Sequence, residues 1–206
     1  MSEYKDRFLQ LAKSIKRDGI EALIEYLEKS DFFTAPASTR FHGSVPEGLV
    51  IHSLNVYDMF MDKMETEPWK TVLSDLSEDT IKIITLFHDI CKTYFYTIEY
   101  RNKKIYSDDG LKKDEHGRFD WKSVPSYTVD DKQPLGHGEK SVFLLDNYIK
   151  LTALERYAIR WHMGFTEPKE NWNYLGASIE KYPAVLALFE ADLEATYIME
   201  KDLKAE

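Results

Sequence analysis

His88 and Asp89 stand side by side at the end of the apolar run Ile83-Ile84-Thr85-Leu86-Phe87. An imidazole nitrogen and a carboxylate oxygen are both good ligands for a borderline divalent ion such as Mn, Fe, Co, Ni or Zn, and a carboxylate also suits Mg. Neighbours on a helix point about 100° apart, so the pair can flank one point only where a helix end meets a cleft. Two ligands do not make a site, and other segments must supply the rest. His52 lies within an apolar stretch containing Leu49, Val50, Leu54, Val56 and Phe60, and Asp192 lies within a stripe of Val185, Leu188, Phe189 and Ile198. A carboxylate in such a face is costly to bury unless paired or metal-bound. A histidine in an apolar helix face is more often a satisfied core residue. One metal centre accounts for all four residues together. His137, between Gly136 and Gly138, and His162, near Trp161, fall at a helix start and a helix end, where ligands for a second metal are readily presented. His116, in the polar run KKDEHGRFD, reads as solvated.

The chain has 206 residues, 43% of them apolar and 31% charged, enough for one core and one domain. Its net charge of -9 and pI near 5.2 argue against a surface built to grip long nucleic acid. They leave room for a small anionic substrate, because a metal can supply local positive charge. The single cysteine, Cys91, rules out a disulfide framework within the chain. There is no apolar h-region at the start and no run long enough to cross a bilayer, so the expected location is the cytoplasm, with no membrane partner.

Periodicity predicts the positioning elements. Apolar residues at helical spacing over 3–18 and 20–27 predict an N-terminal helical pair within residues 3–30. A long helix is expected over 47–64, carrying His52, with His42 on the loop before it. Ser77 reads as the cap of a helix that runs into His88-Asp89, with Lys92 one turn on. Tyr94 to Tyr100 is β-prone, 101–104 is turn-like, and Ile105-Tyr106 could return as a strand. Residues 94–136 therefore read as an insertion of a small hairpin and a long loop. Helices follow over 138–150, 153–163 behind Thr152, 177–182, and from Pro183 onward. No internal repeat or second-domain boundary is visible. The expected fold class is all-α.

The order His52, His88-Asp89, Asp192 resembles the HD-domain metal-dependent phosphohydrolases. HDICK at 88–92 is similar to their HD-x-x-K form. PEGLVIHS at 46–53 resembles the helix that carries their first ligand, and ADLEAT at 191–196 the segment of their last. The resemblance spans about residues 40–200. It implies a helical bundle with His52, His88, Asp89 and Asp192 on a first metal. His137 and His162 match the extra ligands of two-metal members, in which Asp89 would bridge. The 94–136 insertion lies outside the minimal pattern.

The chemistry that follows is hydrolysis of a phosphate ester by metal-activated water, with two ions about 3.5–4 Å apart. Asp89 would orient or deprotonate the nucleophile. Lys92 would neutralise phosphoryl charge as a point-charge binder, although a lysine at a helix end is also favoured by the dipole alone. His42, Tyr94, Lys140 and Arg160 are further candidates for substrate contact; surface charge is the plainer reading of the last two. The expected partner is a small phosphorylated molecule, a nucleotide or a nucleic-acid end. Metal count and identity stay open, and a homo-oligomer is allowed. Two rival readings remain: a di-iron oxygenase with the same ligand order, and a nucleotide sensor without activity.

Overall fold

The structure, a computed structural model, describes residues 2–39 and 43–203. It corrects the all-α expectation. The chain is 53% helical, but 14% of it forms a three-stranded antiparallel sheet, so the fold is mixed α/β.

Helix α1 (Glu3–Lys13) is capped by the Ser2 hydroxyl and packs against α2 (Ile20–Lys29), α3 (Gly48–Met64) and α5 (Glu78–Leu86). A short α4 (Trp69–Val72) links α3 to α5. After the sheet come α6 (His137–Asp146), α7 (Ala153–Trp161), α8 (Trp172–Lys181) and α9 (Ala184–Glu194). A π-helical turn over Ala195–Met199 follows α9. One apolar cluster, including Phe8, Leu49, Phe60, Phe87, Ile159 and Leu188, joins these helices. Burial of each such side chain contributes about 1.5–3 kcal/mol. Among the described residues no helix is long and apolar enough to cross a membrane.

The insertion is larger and more regular than its composition suggests. Strand β1 runs unbroken from Tyr96 to Tyr106, through the residues expected to turn. It pairs with β3 (Gly117–Val129), and a short β2 (Lys112–Asp114) pairs with the first residues of β3. The turns fall instead at Gly110 and Gly117. Lys103 and Lys104 need no positive φ, and eleven cross-strand pairs outweigh a local turn preference. Pro125 is accommodated because β3 has a neighbour on only one side there.

Buried polar contacts tie the N-terminal pair to the later helices. The carboxylate of Glu155, fully buried, accepts from Arg17 at 2.9 and 3.0 Å, from the Thr80 hydroxyl at 2.9 Å and from the Thr152 backbone N–H at 2.7 Å. Thr152 accepts in return from the Glu155 N–H, closing a capping box on α7. Glu155→Ala strips Arg17 and Thr80 of their partner. Because Arg17 is still 19% exposed, the expected loss is at the low end for a broken buried pair, about 3 kcal/mol. Urea unfolding measures it; a loss below about 1 kcal/mol would mean that water replaces the carboxylate.

Candidate metal centre

Helix α5 stops at Leu86, three residues short of Asp89, which it was expected to reach. His88 and Asp89 therefore sit in a turn, followed by a 3-10 turn over Ile90–Lys92. The turn projects both side chains inward, and both are buried. His52 comes from the middle of α3, Asp192 from α9, and His162 from the residue just past α7. Helix α3 packs on α5 and α9, and α7 on α5 and α9, so the four segments meet at one place.

The contacts there are short. His52 Nε2 lies 3.2 Å from Asp192 Oδ1, 3.3 Å from His88 Nε2 and 3.7 Å from Asp89 Oδ2. His88 Nε2 is 3.6 Å from Asp89 Oδ2, and His162 Nε2 is 3.4 Å from Asp89 Oδ1. Ligands bonded at about 2.1 Å to one ion lie roughly 3.0 Å apart in an octahedron and 3.4 Å apart in a tetrahedron. The observed spacings fall at or near that range.

The outer nitrogens show which way the rings face. His88 Nδ1 donates to the Thr85 carbonyl at 2.8 Å, and His162 Nδ1 to the Ile159 carbonyl at 2.7 Å. A carbonyl only accepts, so Nδ1 carries the proton and a neutral ring turns its Nε2 lone pair inward. His52 Nδ1 meets Glu200 Oε1 at 3.1 Å, and Asn55 donates to the same oxygen at 3.0 Å. His137 Nδ1 meets Cys91 Sγ at 3.3 Å. Three imidazoles, His52, His88 and His162, are thus held from behind at Nδ1, the arrangement that orients metal-bound histidines, whereas His137 Nδ1 faces Cys91. At the centre, His162 Nε2 and Asp89 Oδ1 are buried and face each other at 3.4 Å without a well-formed hydrogen bond to each other or to another group. A cation between them would satisfy both.

Three overlapping groups could hold a metal ion: His52, His88 and Asp192; His88, Asp89 and His162; and Asp89, Cys91 and His137. Asp89 links the second and third. His137 reaches this region because α6 begins against α7. A Cβ on Gly138 would lie 2.1 Å from the Arg160 carbonyl, so only glycine allows the backbones this close.

Charge follows the same geometry. Burial opposes a charged His52, but Glu200 and Asp192 outweigh it and raise its pKa to about 10. Burial holds His88 down to about 4 and lowers His137 as well. Burial also works against an ionised Asp89, yet Lys92, whose Nζ is 2.6 Å from Oδ2, and the adjacent imidazoles hold it well below the usual carboxylate range. Lys92, despite its own burial, is raised by Asp89. Burial pushes Cys91 up to about 12, so without a metal it is a thiol.

The other candidates lie elsewhere. Lys140 is buried rather than at the surface, bonded to Asp131 at 2.6 Å with its ammonium over the Phe95 ring. Arg160 is paired with Glu139 and Glu167 and stacks on Trp161. Tyr94, at φ +55°, is 56% exposed and donates its hydroxyl to the Lys29 carbonyl. His42 lies outside the described residues. Sequence reasoning missed Glu200 and Asn55 as neighbours of the centre, and took Cys91 only as a redox indicator. Asn55 was findable, three residues after His52 on the same helix face. Glu200, in a polar C-terminal run, carried no signal.

The chain matches no family model, no curated protein and no solved structure. The class defined by fold and site is accordingly a helix-rich α/β protein with buried histidine, aspartate and cysteine groups that could hold a metal ion.

Proposed function

We propose that this protein is a cytoplasmic metal-dependent phosphohydrolase of the HD type, acting on a phosphate ester of the nucleotide class. The observation that carries the reading is the pair of orphaned buried atoms, His162 Nε2 and Asp89 Oδ1, inside a ring of imidazoles held at Nδ1. His52, His88, Asp89, Asp192, His162 and His137 would hold one or two divalent transition ions. When bound, such an ion supplies Lewis acidity toward a phosphoryl oxygen and lowers the pKa of water.

The chain's own groups do the rest. Asp89, kept ionised by Lys92, has one oxygen turned to the lysine and one left to accept a proton or a cation. Lys92 stays charged and places a positive charge beside the phosphoryl position. Its side chain is only 12% exposed, so that charge is poorly screened by water. Asn55 and Glu200 fix the orientation of His52.

Elemental analysis of the purified protein, with hydrolysis of bis(p-nitrophenyl) phosphate, tests the reading. One or two equivalents of metal and metal-dependent turnover are expected. Lys92→Ala is expected to lower kcat about 10²–10³-fold, as for loss of one charge-stabilising group. No metal and no turnover after reconstitution with Mn, Co, Ni, Fe or Zn would sink the proposal. Two irons with an optical change under O₂ would favour the oxygenase alternative.

A further inference from the structure

His137 is oriented differently from the other three imidazoles of the centre. His52, His88 and His162 are held from outside at Nδ1 and present Nε2. His137 Nδ1 instead faces Cys91 Sγ at 3.3 Å. Cys91 is buried, and its backbone N–H donates to the Ser141 hydroxyl at 3.3 Å. Ser141 and His137 are four residues apart, so they share one face of α6. That face clamps the turn carrying Asp89 and Cys91 at two points, one of them the sulfur.

Three observations mark the sulfur and this nitrogen as a ligand pair. The first is their spacing. An ion bonded to sulfur at about 2.3 Å and to an imidazole nitrogen at about 2.05 Å holds the two atoms roughly 3.1 Å apart at a right angle and roughly 3.6 Å apart at the tetrahedral angle. The observed 3.3 Å lies between these. The second is a carboxylate in the same place. Asp89, Cys91 and His137 each offer a ligand atom within 4.8 Å of the others. Asp89 is 3% exposed, and its Oδ1 makes no well-formed hydrogen bond. A buried oxygen of that kind calls for a cation or a donor. The third is how the ligands sort. His137 groups with Asp89 and Cys91, and His162 with His88 and Asp89. The resemblance implies instead that His137 and His162 share the second ion. His137 is also half-buried, which puts this corner of the centre in reach of water and substrate.

We infer that the second ion of this centre is zinc, held by the Cys91 thiolate, His137 Nδ1 and Asp89. The inference rests on the metal-dependent reading above and names the ligand that selects its second metal. Without an ion, the buried thiol donates its S–H to Nδ1. Binding breaks that S–H bond. The proton leaves to solvent, and the sulfur and Nδ1 lone pairs pass to the ion; nothing is oxidised. Sulfur decides which ion is kept. A thiolate favours zinc, whereas carboxylate, carbonyl and water ligands suit Mg or Mn. Cys91 is thereby a specificity-determining ligand.

The test is the absorption spectrum of the metal-free protein titrated with Co(II), a spectroscopic stand-in for zinc, in buffer free of added thiol. A cobalt–thiolate bond gives an intense charge-transfer band in the near ultraviolet, which imidazole and carboxylate ligands do not. The chain has a single cysteine, so that band can come only from Cys91. The parent protein is expected to take up two equivalents, with the band rising with one of them. Cys91→Ser is expected to lose the band and keep the weaker visible bands of the other ion. Its second equivalent of zinc is expected to bind at least about 100-fold more weakly, the upper end of what loss of a mere outer partner costs. The retained visible bands report that the variant folds; if it does not fold, the parent spectrum decides alone. Co(II) bound without the band, or zinc affinity unchanged in Cys91→Ser, overturns the inference, and Cys91 then only donates a hydrogen bond to His137. Hydrolysis of bis(p-nitrophenyl) phosphate by the Co(II) protein keeps the two readings apart. Turnover without the band removes the thiolate and leaves the hydrolase. The band without turnover keeps the thiolate and removes the hydrolase. No Co(II) bound overturns both.

Discussion

Asp89→Ala is expected to empty the metal centre and abolish turnover. Asp89, like His88, belongs to two of the three groups able to hold an ion, and it is the carboxylate among the two; its Oδ1 makes no well-formed hydrogen bond. It also carries the charge that offsets Lys92 and the imidazoles around it. Removing it takes away a ligand and leaves the cluster with excess positive charge, which repels any cation. Elemental analysis should show metal falling below about a tenth of the parent's content. A bound ion contributes several kcal/mol to phosphoryl transfer, so turnover of bis(p-nitrophenyl) phosphate should fall at least about 10³-fold. Asp89→Asn separates charge from shape. It keeps the volume and a carbonyl oxygen but not the negative charge, and is expected to lose metal nearly as completely. Normal metal content in both variants would exclude Asp89 as a ligand and sink the mechanism.

Metal affinity is expected to rise about 100-fold between pH 6 and pH 8, because the ion must displace a proton from His52. In the metal-free protein Glu200 and Asp192 raise His52 to about 10, so it is protonated across this range. A group that must lose one proton to bind contributes tenfold in affinity per pH unit below its pKa. His88, held near 4, is already neutral and adds nothing. His162 is raised by Asp89 against its burial and steepens the dependence toward the acid end. Titration calorimetry in buffers of different ionisation enthalpy counts the protons, and about one per ion is expected at pH 7.5. Glu200→Gln removes the main charge that raises His52 and should lower that count. An affinity flat from pH 6 to pH 8 would show that His52 is not the proton donor. The sign for the metal-free fold is opposite. A histidine raised in the folded state stabilises it fully below about 6.5, and that contribution is lost as pH rises toward 10.

The helical scaffold was readable because its signals are local. Ser77 and Thr152 cap the helices they were assigned to, and the apolar stripes mark buried faces, apart from Ile198, which is exposed. The ends were less legible. α5 was expected to carry His88 and Asp89 on a helix, but a turn holds them, and only packing against α3 and α7 decides where that helix stops. The sheet was underestimated for a related reason. Residues 101–104 look like a turn when read alone, and strand partners 17 to 23 residues away keep them extended.

The ligand set shows the same division. Residue type and order along the chain marked His52, His88, Asp89 and Asp192 as candidates, because polar groups in apolar helix faces need a shared cause, and His137 and His162 joined them from helix ends. What orients them was not readable from the chain. Glu200 behind His52, and the Thr85 and Ile159 carbonyls behind His88 and His162, are contacts across the fold or at helix ends. Lys140 and Arg160 had the right chemistry for phosphate, but Asp131, Glu139 and Glu167 already occupy them. Sequence alone determined which side chains could serve as ligands, since that depends on chemistry and periodicity. Only the tertiary structure decided which of them face one point and which cations are already paired, since both depend on distances between segments far apart in the chain.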